Sequence, residues 1–228
     1  MVTKDKNPII QNKKIKKMKT IKQFFDERAE AGSYQEYKEG DRNLKIIKSL
    51  ERNKAVLSLG CGAGREIREL KKITYPEYII AIDISEKMIE KSKKIEPKIK
   101  HYCMDAVEFA EKNKTKFNFD YILGLYSFLN YIKKEDRAEL IKNLHNMLNE
   151  GGEIIFELRM WNDRWQDVVK CIYYYLTGKA KEFGDIMQTH TNRHHFTKNQ
   201  LKELFKNYNY EIKGNVVKCL NKKIKRTK

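Results

Sequence analysis

Short apolar segments and amphipathic segments alternate strictly along the middle of the chain, and this alternation constrains the fold more than any other feature. The apolar segments have the length and β-branched content of buried strands, and the segments between them have the three- and four-residue spacing of helices. Five strands are predicted: KAVLSL, YIIAID, KIKHYC, FDYILGL and GGEIIFEL. Strands joined by helices run parallel. The sequence therefore predicts an α/β fold with a doubly wound, mostly parallel sheet of six to seven strands and flanking helices.

The helices between these strands follow from the same periodicity. They are predicted at residues 64–73, 85–95, 105–112 and 134–148. Ser85 has the type of side chain that caps a helix N-terminus. A last helix at 197–208 and a strand within 210–220 complete the predicted elements.

Segments outside the alternation divide the chain into four parts. Near the N-terminus, Ile15, Met18, Ile21 and Phe25 share one face of a predicted helix. Ligands of open α/β sheets bind at the carboxyl ends of the strands, so an insertion after strand five is expected to cover the substrate. The predicted parts are a basic helix and cofactor cover at 1–42, a core at 43–158, a substrate cap at 159–196, and a last helix and strand with a basic tail at 197–228.

The formal net charge of +17 is concentrated at the two ends of the chain. Residues 1–24 carry eight lysines against one aspartate, and residues 212–228 carry seven basic residues and no acid, so the rest is nearly neutral. Basic ends of this kind either bind RNA, DNA or anionic lipid, or serve only as solubilising termini. Both interpretations stay open.

Hydropathy and cysteine usage favour a soluble, cytoplasmic protein. The longest apolar runs are too short to cross a bilayer, and no signal-peptide pattern opens the chain. The four cysteines lie far apart, without the spacing that binds zinc or that is typical of secreted disulfide frameworks. They are expected to be reduced thiols.

The turn after the first strand has glycines at alternate positions. In VLSLGCGAGREIREL these are Gly60, Gly62 and Gly64. Glycine lets the backbone approach a ligand closely, and a helix N-terminus offers unpaired N–H groups. A strand, a glycine turn and a helix in this order suit a dinucleotide or S-adenosylmethionine. The dinucleotide fingerprint GxGxxG requires a glycine where Arg65 stands, which argues against NAD.

Acidic residues end the next two strands. Asp83 ends the second strand, where a carboxylate can accept both hydroxyls of a ribose, and Asp105 ends the third, where it can accept from an adenine amino group. The carboxyl ends of neighbouring parallel strands lie at one edge of a sheet. Together with the glycine turn, these two carboxylates form the set of groups that an adenosine needs.

These motifs resemble those of the class I S-adenosylmethionine-dependent methyltransferases, whose fold is Rossmann-like. The resemblance covers residues 40–158 and 197–220 and rests, in order, on LGCGAG, AIDISEKMIEKSKK, MDA, FDYILGLYSFLNYI and LNEGGEIIFEL. It implies an enzyme with S-adenosylmethionine as cofactor and S-adenosylhomocysteine as product. The family fold closes with a reversed seventh strand. Only about twenty residues follow the last helix here, so the final hairpin is expected to be short or missing.

The resemblance also implies individual cofactor contacts. The glycine turn would lie under the methionine moiety, Met88 against the adenine face, and Leu125 near the sulfonium. Tyr34 and Tyr37 belong to the cover, where a tyrosine either contacts the methionine end or is a surface aromatic. The cofactor-binding residues implied are Gly60, Cys61, Gly62, Gly64, Asp83, Ile84, Met88, Asp105, Ala106, Leu125 and Tyr34.

Acceptors bind after strand four in this family, and the exit of strand five and the segment before the last helix supply further polar residues. The catalytic candidates are Tyr126, His194 and His195, since a neutral imidazole can accept a proton from the attacking group. The substrate-binding candidates are Asn130, Arg159, Trp161 and Arg193. For each of them, core packing or a solvated loop is the alternative. No metal is expected, because the histidine cluster lacks a fourth ligand and no carboxylate follows strand four.

The sequence favours transfer of a methyl group to a nitrogen or oxygen atom of a small-molecule acceptor by in-line displacement. Alignment and exclusion of water can supply much of the catalysis of such a step. A tRNA or other RNA held by the basic ends is the alternative acceptor. A non-catalytic adenosyl-binding module would carry the same motifs. No Pro-Pro-aromatic element follows strand four, which argues against enzymes that methylate DNA amino groups.

Overall fold

The computed structural model describes residues 19–32, 41–161, 165–178, 180, 182–187 and 192–221. Its central sheet has seven strands in the order β3-β2-β1-β4-β5-β9-β8. The strands of this sheet are β1 Val56–Leu59, β2 Ile79–Asp83, β3 Lys100–Cys103, β4 Phe119–Gly124, β5 Leu148–Glu157, β8 Asn209–Lys213 and β9 Val216–Leu220. Strands β1 to β5 are parallel, and β9 is antiparallel to both of its neighbours.

Helices cover both faces of this sheet. They are α1 Ile21–Glu30, α2 Arg42–Lys48, α3 Arg65–Leu70, α4 Glu86–Ile95, α5 Ala106–Asn113, α6 Lys134–Asn146, α7 Trp165–Leu176 and α8 Lys198–Phe205. Phe109, Ile141 and Phe205 are buried in the cluster on one face, and Ile67 and Ile89 are buried in the cluster on the other. Strands β1 and β2 are buried at every position because both of their faces meet helices.

This architecture confirms the α/β, doubly wound prediction. The predicted N-cap is also found, since the Ser85 hydroxyl accepts the Met88 N–H at 3.2 Å. The expectation for the C-terminal end of the sheet is wrong. The predicted single strand is a complete hairpin of β8 and β9, and a turn at Gly214 and Asn215 needs only two residues to reverse the chain.

The described part of the N-terminal cover is α1, which lies against α4. Thr20 caps this helix and forms a capping box with Gln23, so α1 begins at Ile21 and continues past the predicted stretch to Glu30. The Ser85 hydroxyl donates to the Asp26 carboxylate at 2.6 Å and joins α1 to the start of α4. Ile15 and Met18 lie outside the described residues.

The predicted cap contains α7 and a small hairpin of β6 Asp185–Met187 and β7 Asn192–His194. A parallel bridge between Met160 and Phe196 joins its two ends beside β5. The four-part division of the chain stays a prediction. Among the described residues, no helix has both the length and the apolar character required to span a membrane.

Candidate active site

A cavity of about 970 Å³ lies at the carboxyl ends of β1 to β5. The strand order reverses between β1 and β4, the position where open α/β sheets form a binding crevice. Residues after β1, β2 and β3 line one part of this cavity, which we call the β1–β3 side. Residues after β4 and β5, together with part of the cap, line the other part, the β4–β5 side.

The glycine turn forms the floor of the β1–β3 side. Gly62 lines the cavity with a backbone φ of +54°, and a Cβ added there would have no atom of the described residues within 4 Å. Among these residues, the space beside Gly62 is open to the cavity. Gly64 does not line the cavity. A Cβ at Gly64 would lie 2.8 Å from Ile95 and 3.0 Å from the Ser92 backbone, so this glycine allows close packing of α3 on α4.

Asp83 fixes the glycine turn to the end of β2. Its two carboxylate oxygens accept the N–H groups of Gly62 and Ser85, each at 2.8 Å. Burial raises the pKa of Asp83 to about 6, although these two hydrogen bonds oppose the shift. The carboxylate lines the cavity and retains lone pairs for further donors.

The other residues predicted to contact the adenosine part of the cofactor lie on the same side of the cavity as this carboxylate. Ile84, Met88, Asp105 and Ala106 line the cavity, and Met88 is buried against Ala63 and Ala29. The Asp105 carboxylate also caps α5, accepting the Val107 N–H at 2.8 Å. Cys61 and Leu125 line the cavity as well. Tyr34 and Tyr37 lie outside the described residues.

Helix α1 covers the cavity from the side of α4. Ile21 and Phe25 line it, and the Phe25 ring meets Tyr131 edge to face at 5.3 Å between centroids. Since Tyr131 follows β4, this ring contact joins the cover to the β4–β5 side across the mouth of the cavity.

The backbone after β4 adopts a costly conformation. Tyr126 and Ser127 have φ values of +53° and +66°, which non-glycine residues rarely adopt and which cluster at functional sites. The Tyr126 hydroxyl donates to Asp41 at 3.2 Å, and the Arg65 guanidinium lies 3.8 Å from the centre of its ring. Tyr126 is therefore held at the cavity wall from two sides.

Glu157 is a cavity residue that the sequence analysis missed. It ends β5, and its carboxylate accepts the Ser127 N–H at 3.0 Å and an Asn215 amide N–H at 2.7 Å. Burial raises its pKa, while Arg42 and Arg159 oppose the shift. An acid at the end of a strand was the available signal, as it was for Asp83, but the contacts with Ser127 and Asn215 depend on the tertiary fold.

The structure separates the substrate-binding candidates into two groups. Arg159 and Arg193 line the cavity, whereas Asn130 and Trp161 do not. Asn130 is 1% exposed, and its amide donates to the Arg159 and His194 carbonyls and accepts the Arg159 N–H at 2.9 Å. Trp161 packs on Phe183 within the cap. These contacts indicate that Asn130 and Trp161 support the wall of the cavity and do not face its interior.

Neither histidine candidate, His194 or His195, lines the cavity. His194 is buried, and its Nδ1 is 2.9 Å from Asp185 and 3.2 Å from Glu182. Glu182 is also paired with the buried Arg137. Three ligand-type atoms of His194, Asp185 and Glu182 lie within 4.8 Å of one another, but Arg137 already supplies the compensating charge. We interpret this cluster as an ion network that fixes the cap hairpin to α6.

Comparison with known proteins agrees with this geometry. A family model described as a methyltransferase domain matches residues 31–213. The chain is 24% identical over 140 residues to a tRNA (carboxymethyluridine(34)-5-O)-methyltransferase of Saccharomyces cerevisiae, covering 61% of this chain and 48% of the relative. It is 25% identical over 187 residues to a malonyl-[acyl-carrier protein] O-methyltransferase of Bacillus anthracis, covering 76% and 64%. The chain therefore spans less than two thirds of the length of both relatives.

A solved structure shares the fold. The 1,6-didemethyltoxoflavin-N1-methyltransferase of Burkholderia thailandensis, determined with 1,6-didemethyltoxoflavin and S-adenosylhomocysteine, superimposes with a TM-score of 0.61 at 12% identity. The match covers 89% of this chain and 87% of that structure. At this identity the likeness shows the architecture alone.

Proposed function

The chain belongs to the class I S-adenosylmethionine-dependent methyltransferases, and on that premise we propose that it methylates a nitrogen or oxygen atom of a small-molecule acceptor. S-adenosylmethionine is the cofactor, and it supplies an electrophilic methyl group on a sulfonium that the acceptor atom attacks in line. The observation that carries the proposal is the covered cavity, with an adenosine-type wall on its β1–β3 side and a separate polar wall on its β4–β5 side.

The residues of the β1–β3 side fit the cofactor. Gly62 leaves open space beside its backbone, and the Asp83 carboxylate can accept the ribose hydroxyls while it holds the Gly62 N–H. Met88 and Ala106 offer apolar surface for the adenine ring. We assign Leu125 to the methionine end, because it leaves β4 next to the β4–β5 side.

The β4–β5 side suits an enclosed acceptor. A cavity of about 970 Å³ is at the upper end of the range for small-molecule sites, so it has room for a cofactor and a modest second ligand. The contact between Phe25 and Tyr131 narrows its mouth, which would exclude water from the reacting atoms. We place Tyr126 at the acceptor and leave His194 and His195 out of the reaction, since neither lines the cavity.

Calorimetry with the purified protein tests the cofactor assignment. S-adenosylmethionine and S-adenosylhomocysteine are expected to bind in the micromolar range, and NAD is expected not to bind, because Arg65 occupies the position where its fingerprint requires glycine. Binding of NAD without binding of either adenosyl ligand would contradict the proposal. Tight adenosyl binding without turnover on any acceptor would favour a non-catalytic module.

An RNA acceptor is the second candidate. It is favoured by the similarity to the yeast tRNA methyltransferase and by the basic ends of the chain. Phosphate contacts release counterions, so tRNA binding would weaken by orders of magnitude, about 10³- to 10⁵-fold for six to ten contacts, between 50 and 200 mM salt. Binding of tRNA with this steep salt dependence, followed by methyl transfer to it, would replace the small-molecule proposal.

A cytoplasmic location is also a proposal. It is supported by the four free cysteines, which are ordinary in a reducing compartment.

A further inference from the structure

Two arginines line the β4–β5 side of the cavity, and the charge of one of them, Arg159, acts on the nearby Glu157 carboxylate without forming an ion pair with it. Arg159 follows β5 and Arg193 lies in β7, and both line the cavity. Within the described part of the chain, neither guanidinium forms an ion pair. The Nε of Arg193 is buried and has no hydrogen-bond partner among the described residues, which is costly for a charged donor. An oxyanion in the cavity would supply the acceptor that this donor lacks.

The nearby carboxylates are already occupied by protein donors. Asp41 accepts the Asn43 N–H at 2.8 Å as well as the Tyr126 hydroxyl, and both oxygens of Glu157 accept N–H groups. Asp136 also lines the cavity, in the first turn of α6, where the helix dipole stabilises a negative charge. Asp41 and Glu157 therefore have protein donors of their own, whereas neither arginine forms an ion pair with a described carboxylate.

Asn130 holds the two arginines on the same wall. Its amide bonds to the backbone of Arg159 and to the carbonyl of His194, which follows Arg193 directly. The Phe196 N–H also donates to the Arg159 carbonyl at 3.1 Å. These bonds fix the exit of β5 beside β7, so the two arginines lie on neighbouring segments of the same cavity wall.

We propose that the acceptor is an anionic small molecule whose carboxylate or phosphate group is bound by Arg193 and Arg159. The planar guanidinium matches either oxyanion with paired hydrogen bonds. Tyr131 and Met160 line the same side and supply apolar surface for the rest of the molecule. The inference rests on the proposed function, since it names the acceptor class of the same site.

Matched ligand pairs test the charge preference on protein saturated with S-adenosylhomocysteine. The probes are 3-phenylpropanoate against 3-phenylpropanamide and phenyl phosphate against phenol, with 3-phenylpropylamine as the cationic member. By calorimetry, at least one anion is expected to bind about tenfold or more tightly than its neutral partner, the usual effect of charge-assisted hydrogen bonds. The pair that shows the preference identifies a carboxylate or a phosphate as the recognised group.

Variants then assign the preference to the arginines. Arg193→Gln is expected to remove most of the anion preference while leaving the neutral ligand unchanged, and Arg193→Lys is expected to keep part of it. Arg68→Gln is the matched control, because Arg68 is exposed on α3 outside the cavity and changes the net charge equally. The affinity for S-adenosylhomocysteine and the melting temperature verify that each variant is folded.

The outcomes separate this inference from the function on which it rests. Equal binding of the members of both pairs, preference for the amine, or no binding of either anion would overturn the inference while cofactor binding stays intact. An anion preference that survives Arg193→Gln and Arg159→Gln would overturn it as well. Failure of the wild-type protein to bind S-adenosylhomocysteine would instead overturn the proposed function itself.

Discussion

Each residue of the β1–β3 side is placed by its own strand-to-helix turn, whereas the β4–β5 side is held together by side-chain bonds between segments far apart in sequence. On the first side, Gly62, Asp83 and Asp105 each lie at the junction of a strand with the next helix. On the second side, the Tyr126 hydroxyl reaches Asp41, and the Glu157 carboxylate accepts from Asn215 across 58 positions of sequence. A local turn motif suits a ligand that does not vary. A wall built from distant segments can instead change its shape and chemistry when the loops that form it change.

The contrast implies different responses to mutation. Removing a group on the β1–β3 side should act on cofactor binding, because the donors and acceptors there are turn residues facing the cavity. Removing a polar group on the β4–β5 side should first lower the stability of the cavity wall, because the polar groups of this wall form hydrogen bonds with one another. The four experiments below test this division in order of expected effect.

Asp83→Ala should have the largest effect. It removes the carboxylate assigned to the ribose and leaves the Gly62 and Ser85 N–H groups without their acceptor. Two charge-assisted hydrogen bonds correspond to a loss of about 100-fold or more in affinity for S-adenosylhomocysteine. Calorimetry measures the loss, and Glu86→Ala, an exposed acid three residues further along, is the control. An affinity within threefold of wild type would remove Asp83 from the cofactor site.

Asn130→Ala should affect stability rather than the cofactor. The substitution leaves the buried His194 carbonyl and the Arg159 N–H without these partners and removes one of the two donors to the Arg159 carbonyl, which costs about 2–3 kcal/mol of the free energy of unfolding. Asn143 is the matched control, because it is equally buried at 1% exposure but its amide has no hydrogen-bond partner in the described part of the chain. Urea unfolding should therefore show a much smaller loss of unfolding free energy for Asn143→Ala than for Asn130→Ala. If Asn130→Ala lowered cofactor affinity tenfold without a loss of stability, the two sides would not be separate.

Asn130 also shows where sequence-based reasoning reached its limit. The strand and helix order, the Ser85 cap and the position of Asp83 follow from local periodicity and turn chemistry, so they could be predicted. The three bonds of Asn130 require β7 to lie beside the exit of β5, which no local pattern encodes. The sequence therefore predicts both Tyr126, as a catalytic candidate, and Asn130, as a substrate-binding candidate, at the acceptor, although Tyr126 lines the cavity and Asn130 supports its wall.

The prediction for the C-terminal hairpin was wrong for a related reason. Residues 210–220 form one run of strand-favouring residues, interrupted only by Gly214 and Asn215. These two residues form the turn between β8 and β9, and β9 then enters the sheet beside β5. Pairing of β9 with a strand about sixty residues earlier is a long-range contact, so the run alone does not specify the strand order.

The pH dependence of cofactor binding should show an intermediate effect. Burial raises the pKa of Asp83 to about 6, and only the ionised carboxylate accepts from both ribose hydroxyls. Affinity for S-adenosylhomocysteine should therefore be constant at high pH and be about tenfold lower at pH 5, about fivefold of this between pH 6 and pH 5, as this group takes up a proton. The stability of the free protein depends on pH in the opposite direction. Since the folded carboxyl titrates above its unfolded value near 4, this group lowers stability as pH rises from about 4 to about 6.

Two variants distinguish the groups that titrate in this window. Glu66 also lines the cavity, and burial raises its pKa to about 7, against the opposing hydrogen bond from the Ser58 hydroxyl. The affinity of Asp83→Asn should be lower than that of wild type but independent of pH between 5 and 7. Glu66→Gln should retain the fall below pH 6. A fall that persists in Asp83→Asn and disappears in Glu66→Gln would assign the dependence to Glu66 instead.

Tyr126→Phe should have the smallest effect and tests the division most finely. The change removes the hydroxyl that donates to Asp41 at 3.2 Å but keeps the ring on which Arg65 lies. One neutral donor to a carboxylate is worth about 1 kcal/mol, so urea unfolding should show a loss of that size. Affinity for S-adenosylhomocysteine should stay within twofold of wild type, because the hydroxyl binds the wall and not the cofactor. The same substitution at exposed Tyr78 is the control for loss of a tyrosine hydroxyl. A tenfold loss of cofactor affinity in Tyr126→Phe alone would show that the bond between Tyr126 and Asp41 also orders the β1–β3 side, so that the two sides form one cooperative site.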